Sequence, residues 1–258
     1  MCTLAVYVQV SAAMPLLVAA NRDEFLDRPS AEPAVIAYDP WVFAGQDLNA
    51  GGTWFGVNQH GLVVGLLNRR RPQGPDPERR SRGLLCLELL QTRSPAEAAD
   101  RLRHTPPDAY NSFNVLVADR AQALVATNPS GRIQVTPLPP GVHLLTNLEL
   151  NDPTCPRIAR SSELFRALTL PAAGDAAAAV PALRAILSDH TTALDPRATP
   201  LDTLCVHRPG YGTRSSTIVA LTDHGVRYWH APGPPCRTAY AELALPGRAG
   251  QRGGAAVG

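Results

Sequence analysis

Long apolar runs with few polar interruptions occupy both ends of the chain and predict β-strands. The first run extends from Cys2 to Val10 and is rich in β-branched residues, as strands are. Ser11–Pro15 then form a connection, and Leu16–Ala20 are predicted as a second strand. The segment TWFGVNQHGLVVGLLN predicts another hairpin, with its turn at Asn58–Gly61 and its return strand at Leu62–Leu67.

Apolar residues at helical spacing appear in two later blocks. One helix is predicted near Arg82–Gln91, and the next begins with Ser94 as N-cap, Pro95 at the first position and Glu97 at the third. Further elements are expected at residues 113–119, 123–127 and 142–147 (strands), Pro156–Leu168 and Ala176–Asp189 (helices), and TLCVHR, TRSSTIVALT, VRYWHA and Thr238–Leu245 (strands). This order predicts an α+β fold, an antiparallel sheet packed under helices.

Composition narrows the classes of function. The 258-residue chain has a net charge of +2 that is spread along its length, so no nucleic-acid partner is expected. The sequence has no lysine, which excludes Schiff-base and lysine general-base chemistry. Arg69–Arg71 form a basic cluster with Arg79, Arg80 and Arg82 in a proline-rich loop. A solvated loop is favoured there, and an anion-binding lip is the alternative.

Neither a signal peptide nor a transmembrane segment is predicted, because the first apolar run is short, strand-like and lacks a basic segment before it. The five cysteines have no CxxC spacing. They predict neither a disulfide scaffold nor a metal site, and they fit a cytoplasmic location. We expect one domain over residues 1–246 and a flexible tail over 247–258, where Gly, Ala and Arg dominate.

The second strand stops at four polar residues, Asn21–Glu24, which raises the question of a functional site. A solvated strand end is the simpler interpretation. However, a hairpin turn near residues 12 and 13 would set residue 2 opposite residue 23. Removal of Met1 would leave Cys2 with a free α-amine that can accept its thiol proton, as in N-terminal nucleophiles. Asp23 is then the expected partner of that amine.

Three more polar residues stand where predicted apolar runs stop or start. Asn68 follows LVVGLL, Asn147 follows HLLT, and Arg214 opens SSTIVAL. Each alone is read more simply as a strand-end residue, but together with Cys2 they offer donors for an oxyanion. Gly51 and Gly52 are expected across from Asn68, leaving room for a ligand or for backbone.

The runs AANRDEF, GGTWFG, YNSFNVLVAD and GYGTRSST, with Met1-Cys2 ahead of them, closely resemble the NRDE family, also called transport and Golgi organisation 2. The resemblance extends from Cys2 to about Leu245. That family is in turn similar to the N-terminal nucleophile hydrolases, such as bile salt hydrolase and penicillin V acylase. The resemblance implies a four-layer αββα sandwich and hydrolysis of a small amide through an acyl-thioester on Cys2, without a cofactor.

By this resemblance the catalytic set is Cys2, Asp23, Asn68, Asn147 and Arg214. The candidate ligand-binding residues are Asn21, Arg22, Gly52, Trp54 and Arg69, although Trp54 can also be read as core. In bile salt hydrolase the early Arg stands three residues before the Asp, whereas Arg22 here adjoins Asp23. Adjacent strand residues point to opposite faces, so both can face Cys2 only if a bulge intervenes.

A carrier is the alternative function, because the NRDE family is associated with haem trafficking and with acyl-CoA. Cys155-Pro156 matches the short haem-regulatory motif, but a proline at a helix start explains it more simply. The seven histidines show no paired helical spacing. Acyl-CoA would require an anion site, for which the Arg69–Arg71 loop is the best candidate. The sequence leaves the oligomeric state open.

Overall fold

The computed structural model describes residues 2–70, 74–129, 132–171 and 175–247. Its strands form two seven-stranded antiparallel sheets. In the first sheet the spatial order is β10 (Gly141–Leu145), β1 (Thr3–Val8), β2 (Leu16–Phe25), β12 (Tyr211–Thr222), β13 (Gly225–Ala231) and β14 (Ala241–Leu243), with β11 (His207–Arg208) paired to β12. The second sheet is a meander of β3 (Ser30–Tyr38), β4 (Trp41–Asp47), β5 (Phe55–Asn58), β6 (Val63–Asn68), β7 (Phe113–Ala118), β8 (Ala123–Thr127) and β9 (Gln134–Pro137).

Helices cover the outer face of each sheet. The helices α1 (Arg82–Leu90) and α2 (Pro95–His104) pack their buried leucines and alanines on the second sheet. On the first sheet lie α3 (Pro156–Ala167) and α4 (Val180–Leu187), the latter preceded by a 3₁₀ turn at Ala176–Ala179. The inner faces of the two sheets share a third apolar core. This arrangement confirms the predicted four-layer αββα sandwich.

Strand β1 shows why its sequence is apolar without alternation. Leu4 and Val6 point into the core between the sheets, whereas Ala5 and Tyr7 point into the core under α3 and α4. Both faces of the strand are therefore removed from water, and all six of its residues are buried. The same burial applies to the first part of β2, so the residues that follow it extend from the packed centre of this sheet.

Local chemistry fixes the predicted helix start and hairpin turn. The Ser94 hydroxyl accepts a hydrogen bond from the backbone N–H of Glu97, with Pro95 in the first turn of α2. In the β5–β6 turn the Asn58 carboxamide accepts the backbone N–H groups of His60 and Leu62, and Gly61 adopts a φ of 75°. Both features agree with their predictions from the sequence.

Several predicted elements require correction. Strand β2 does not end at Ala20 but continues to Phe25, because it stays paired with β12 to that residue, with Asn21, Arg22 and Asp23 buried. Strands β3, β4 and β9 were not predicted. The half-exposed β3 contains Pro33 inside a register shift, so its residues show no clean alternation. Of TLCVHR, only the last two residues are in a strand.

Each helix within the described ranges is too short or too polar to cross a membrane. The predicted flexible tail lies outside the described residues except for Gly247, and so does Arg71 of the predicted basic loop.

Candidate active site

Cys2 and Arg22 lie side by side on the inner face of the first sheet. The register of β1 and β2 pairs Thr3 with Asn21, one residue away from the predicted register. Continuing that register sets Cys2 beside Arg22 and not beside Asp23, and a one-residue slip moves side chains to the other face. Cys2 accordingly packs against the core between the sheets, where its Sγ donates a weak hydrogen bond of 3.6 Å to the backbone oxygen of Asp23.

Arg22 is held in place by an aromatic ring. Its guanidinium carbon lies 4.0 Å from the centre of the Trp54 ring, and its Nη1 donates to the Ser30 hydroxyl at 3.4 Å. Burial lowers the pKa of Arg22, while the nearby groups of Cys2, Glu24 and Asp47 oppose that shift. A buried guanidinium beside a thiol favours the thiolate form.

The carboxylate of Asp23 faces the opposite way, toward α3. Its Oδ1 accepts the Thr213 hydroxyl at 2.7 Å, and its Oδ2 accepts Nη1 of Arg157 at 2.9 Å. The same Arg157 nitrogen donates to the Thr3 hydroxyl at 2.8 Å, and the ion pair is fully buried on both sides. The alternation predicted for adjacent strand residues therefore holds within β2. The bulge lies instead in β12, where the register shifts between Thr213 and Ser215.

Asn68 and Asn147 come together at the ends of β6 and β10. The Asn147 amide nitrogen donates to the backbone oxygen of Asn68, and the backbone N–H of Arg70 donates to the backbone oxygen of Asn147 at 2.8 Å. The side-chain oxygen of Asn147 is buried and has no hydrogen-bond partner in the described part of the chain. Buried polar groups are normally satisfied, so such an atom indicates a site that binds something.

These residues meet in a cleft of about 690 Å³, which we call the Cys2 cleft. The predicted site residues that line it are Cys2, Arg22, Asp23, Trp54, Asn68 and Asn147. Other charged residues also line it, both basic (Arg28, Arg79, Arg80 and Arg82) and acidic (Glu24, Asp47 and Asp76). A much smaller pocket of about 30 Å³ adjoins the cleft at Cys2 and is lined mainly by apolar residues, including Leu4, Phe55 and Leu66.

Four predicted site residues do not line the Cys2 cleft: Asn21, Gly52, Arg69 and Arg214. Asn21 donates to the backbone oxygens of Leu187 and Leu204 at 2.9 and 2.8 Å. Arg69 pairs with Glu149. The Nη1 of Arg214, the residue inside the bulge of β12, donates to the backbone oxygen of Leu26 at 2.9 Å.

Gly52 is packed against the start of α1. A β-carbon added there would lie 2.2 Å from the carbonyl carbon of Gly83, so this position accepts only glycine. Of the two interpretations of the glycine pair, ligand or close backbone, the structure supports backbone at Gly52.

The protonation of Cys2 is set by opposing effects. Burial raises the pKa of the thiol, and the negative charge of Asp23 raises it further. The hydrogen bond to the Asp23 backbone and the positive charge of Arg22 lower it. Arg22 and Asp23 thus act on the same thiol with opposite sign from the two faces of one strand.

The family model for Transport and Golgi organisation 2 matches residues 1–229. The chain belongs to this family. The human Transport and Golgi organization protein 2 homolog is 29% identical, over 83% of this chain and 84% of the human protein. The mouse homolog is 27% identical over the same shares.

Solved structures of amide hydrolases share the fold of this Transport and Golgi organisation 2 member. Penicillin V acylase from Agrobacterium tumefaciens has a TM-score of 0.55 at 13% identity, covering 95% of this chain and 86% of the acylase. The Caenorhabditis elegans ortholog of N-acylethanolamine-hydrolyzing acid amidase has a TM-score of 0.53 at 15% identity, covering 95% of this chain and all of the ortholog. At these identities the likeness concerns the fold alone.

Two residues of the site in this Transport and Golgi organisation 2 member were not predicted from the sequence. Arg157 is fully buried at the second position of α3, where a cation opposes the helix dipole. This first-turn position was the one signal in the sequence, and it does not identify Asp23, 134 positions away, as the partner. Tyr211 donates its hydroxyl to the Asp23 backbone oxygen at 3.3 Å, the same atom that accepts the Cys2 thiol. It carried no comparable signal.

Proposed function

We propose that the protein hydrolyses a small non-peptide amide through an acyl-thioester on Cys2. The observation that carries the proposal is the position of Cys2, where the Cys2 cleft meets the narrow apolar pocket and Arg22 flanks the thiol. A nucleophile needs an approach for its substrate and a neighbour that favours its charged form. The family and the fold it shares with amide hydrolases support this reading.

In the proposed reaction, removal of Met1 first exposes the α-amine of Cys2. The amine accepts the thiol proton, and the sulfur attacks the carbonyl carbon of the amide to form a tetrahedral oxyanion. The ammonium then gives its proton to the leaving nitrogen as the C–N bond breaks and the thioester forms. Water, deprotonated by the same amine, attacks the thioester and releases the acid, with the proton returned to sulfur.

Asn147 is the proposed oxyanion donor. Its amide nitrogen has two protons, and one of them is directed to the Asn68 backbone oxygen. The second is the one that would meet an oxyanion. Arg22 would favour the thiolate, and the locked Asp23 side chain would hold the β2 backbone that contacts Cys2 and Tyr211.

The cavity sizes suggest which part of the substrate lies where. The narrow pocket of about 30 Å³ holds roughly one or two water molecules, so only a short acyl end fits there. The Cys2 cleft is more than twenty times larger, at about 690 Å³, and has room for the rest of the substrate. We therefore expect a small acyl group joined to a larger amine portion.

The arginine-lined cleft also favours a second candidate, a carrier of an anionic ligand such as acyl-CoA. Guanidinium groups suit phosphates because they bind them in bidentate fashion. Haem is the other ligand proposed for a carrier, and Cys2 is the thiol that the described cleft lining offers to its iron. A carrier needs neither a free α-amine nor an oxyanion donor.

Turnover and binding measured on the same variants separate the two functions. We expect Cys2→Ala to abolish hydrolysis across a panel of small acyl-amides, and Cys2→Ser to leave only traces. Asn147→Ala should lower kcat by ~10²–10³ with little change in binding. Cys155→Ser, a thiol at the start of α3, is the control. Tight acyl-CoA or haem binding that is indifferent to Cys2 and Asn147, with no turnover in any variant, would replace the hydrolase with the carrier.

A further inference from the structure

Four side chains with metal-binding atoms converge on the first sheet, away from the Cys2 cleft. His190 follows α4, Cys205 and His207 lie before and in β11, and Cys236 lies between β13 and β14. Their ligand atoms all lie within 4.8 Å of one another. The sequence predicted no metal site. The spacing of these residues along the chain does not reveal the cluster, because they come from three separate segments.

The distances within the cluster match the edges of a metal-centred tetrahedron. The two sulfur atoms are 3.7 Å apart, and His207 Nε2 lies 3.6 Å from Cys205 Sγ and 3.2 Å from Cys236 Sγ. With Zn–S bonds of about 2.3 Å and Zn–N bonds of about 2.0 Å, tetrahedral geometry sets ligand atoms roughly 3.3–3.8 Å apart. These three atoms already stand near those separations.

The fourth ligand is oriented by the backbone. The Nδ1 atom of His190 lies 3.0 Å from the backbone oxygen of Cys205. A metal-binding histidine usually donates its other ring N–H to such an oxygen, which leaves the second nitrogen unprotonated for the metal. The ring centres of His190 and His207 are 5.1 Å apart, so both imidazoles border the same space.

We propose that His190, Cys205, His207 and Cys236 form a structural zinc site. Two thiolates and two imidazoles in a tetrahedron are the donor set that Zn²⁺ prefers, and four protein ligands leave no open position for catalysis. Binding releases the two thiol protons as the two sulfur–zinc bonds form. A disulfide between the two cysteines would need a sulfur separation of about 2.0 Å and would give the histidines no role.

The site would fix the irregular segment from His190 to Val206. This segment presents the backbone oxygens of Leu201 and Leu204 to Arg157 and Asn21, which lie beneath the candidate active site. Residues 191–203 contain no helix or strand, and a loop of this length in a compact fold needs an anchor. Zinc at Cys205 would supply one, and this role does not depend on whether Cys2 is catalytic.

The test uses full-length protein without a histidine tag. We expect about one zinc per chain by mass spectrometry of metals. After removal of zinc, Co²⁺ should give the intense visible bands of a tetrahedral site with sulfur ligands. Chelation should lower the melting temperature by roughly 5 °C or more, because the metal binds only the folded chain.

The variants Cys236→Ser and His207→Asn should weaken Zn²⁺ binding by at least ~10-fold. The matched controls Cys155→Ser and His104→Asn should bind as wild type does. Three results would each overturn the proposal: no Zn²⁺ or Co²⁺ bound by wild-type protein, equal affinity in ligand and control variants, or a Cys205–Cys236 disulfide in protein purified under reducing conditions.

Discussion

The two faces of strand β2 carry opposite charges and use them differently. On the outer face, Asp23 is enclosed by Arg157, Thr213 and helix α3, and its ion pair has no exposed surface. On the inner face, Arg22 rests on Trp54 and borders the Cys2 cleft. The acidic residue of this pair is thus enclosed in the scaffold, whereas the basic residue, although mostly buried, lines a cleft beside the thiol.

Disruption of the Asp23–Arg157 ion pair on the outer face should cause the largest loss of stability. Arg157→Met removes the cation that lies 2.9 Å from a fully buried carboxylate. Removal of one member of a buried ion pair costs ~3–5 kcal/mol, and we expect the free energy of unfolding in urea to fall by that amount. Arg166→Gln, an exposed arginine on the same helix, is the control and should change it by less than ~0.5 kcal/mol. Equal losses in both variants would show that the pair is not part of the scaffold.

His230 lies on the inner face of the first sheet, where its Nδ1 atom shares a hydrogen bond of 3.0 Å with the Thr217 hydroxyl. Burial lowers the pKa of His230 to about 4 from an ordinary value of 6.5. Between these values the unfolded chain binds more protons than the folded one, so stability falls as the pH drops from about 6.5 to 4. The contribution lost is about 3 kcal/mol, at about 1.4 kcal/mol per pKa unit.

The measurement is urea unfolding of wild type and His230→Gln at intervals across that pH range. The variant should lack this part of the pH dependence. His60→Gln, at an exposed turn, should retain it. A variant whose stability falls with pH as steeply as that of wild type would remove His230 as the cause.

A smaller change is expected on the inner face, in the pKa of the Cys2 thiol beside Arg22. Arg22→Gln removes a positive charge that lowers the pKa of Cys2, so the pKa of the thiol should rise. The pH dependence of Cys2 alkylation measures this shift. Arg28→Gln is the matched control, since Arg28 lines the same cleft but is paired with Asp47 at 2.7 Å. Identical profiles in all three proteins would mean that Arg22 does not act on the thiol.

The parts of the fold that could be predicted are those fixed by local sequence. The Ser94 cap, the Asn58–Gly61 turn and the doubly buried β1 each depend on residues close together in the chain. Strand β3 escaped prediction because its half-exposed residues give neither a strand nor a helix period. The extent of β2 was missed because its charges resemble a strand end unless their distant partners are known.

The candidate site also has residues that could be predicted from the sequence and residues that could not. Local motifs and the family resemblance brought out Cys2, Arg22 and Asn147, which do meet in the Cys2 cleft. They could not show which face Asp23 occupies, since a one-residue error in register reverses it. Arg157 lies 134 positions from Asp23, so their pairing depends on the tertiary fold.

Intact-mass spectrometry shows directly whether Cys2 is a nucleophile. The protein is incubated with small acyl-amides or activated acyl esters, quenched in acid and mapped by peptide. We expect a chain that begins at Cys2 and an acyl adduct on that residue. The adduct should be released by hydroxylamine, absent from Cys2→Ala and present in Cys155→Ser. Retention of Met1 in every molecule, or an adduct that persists in Cys2→Ala, would contradict this expectation.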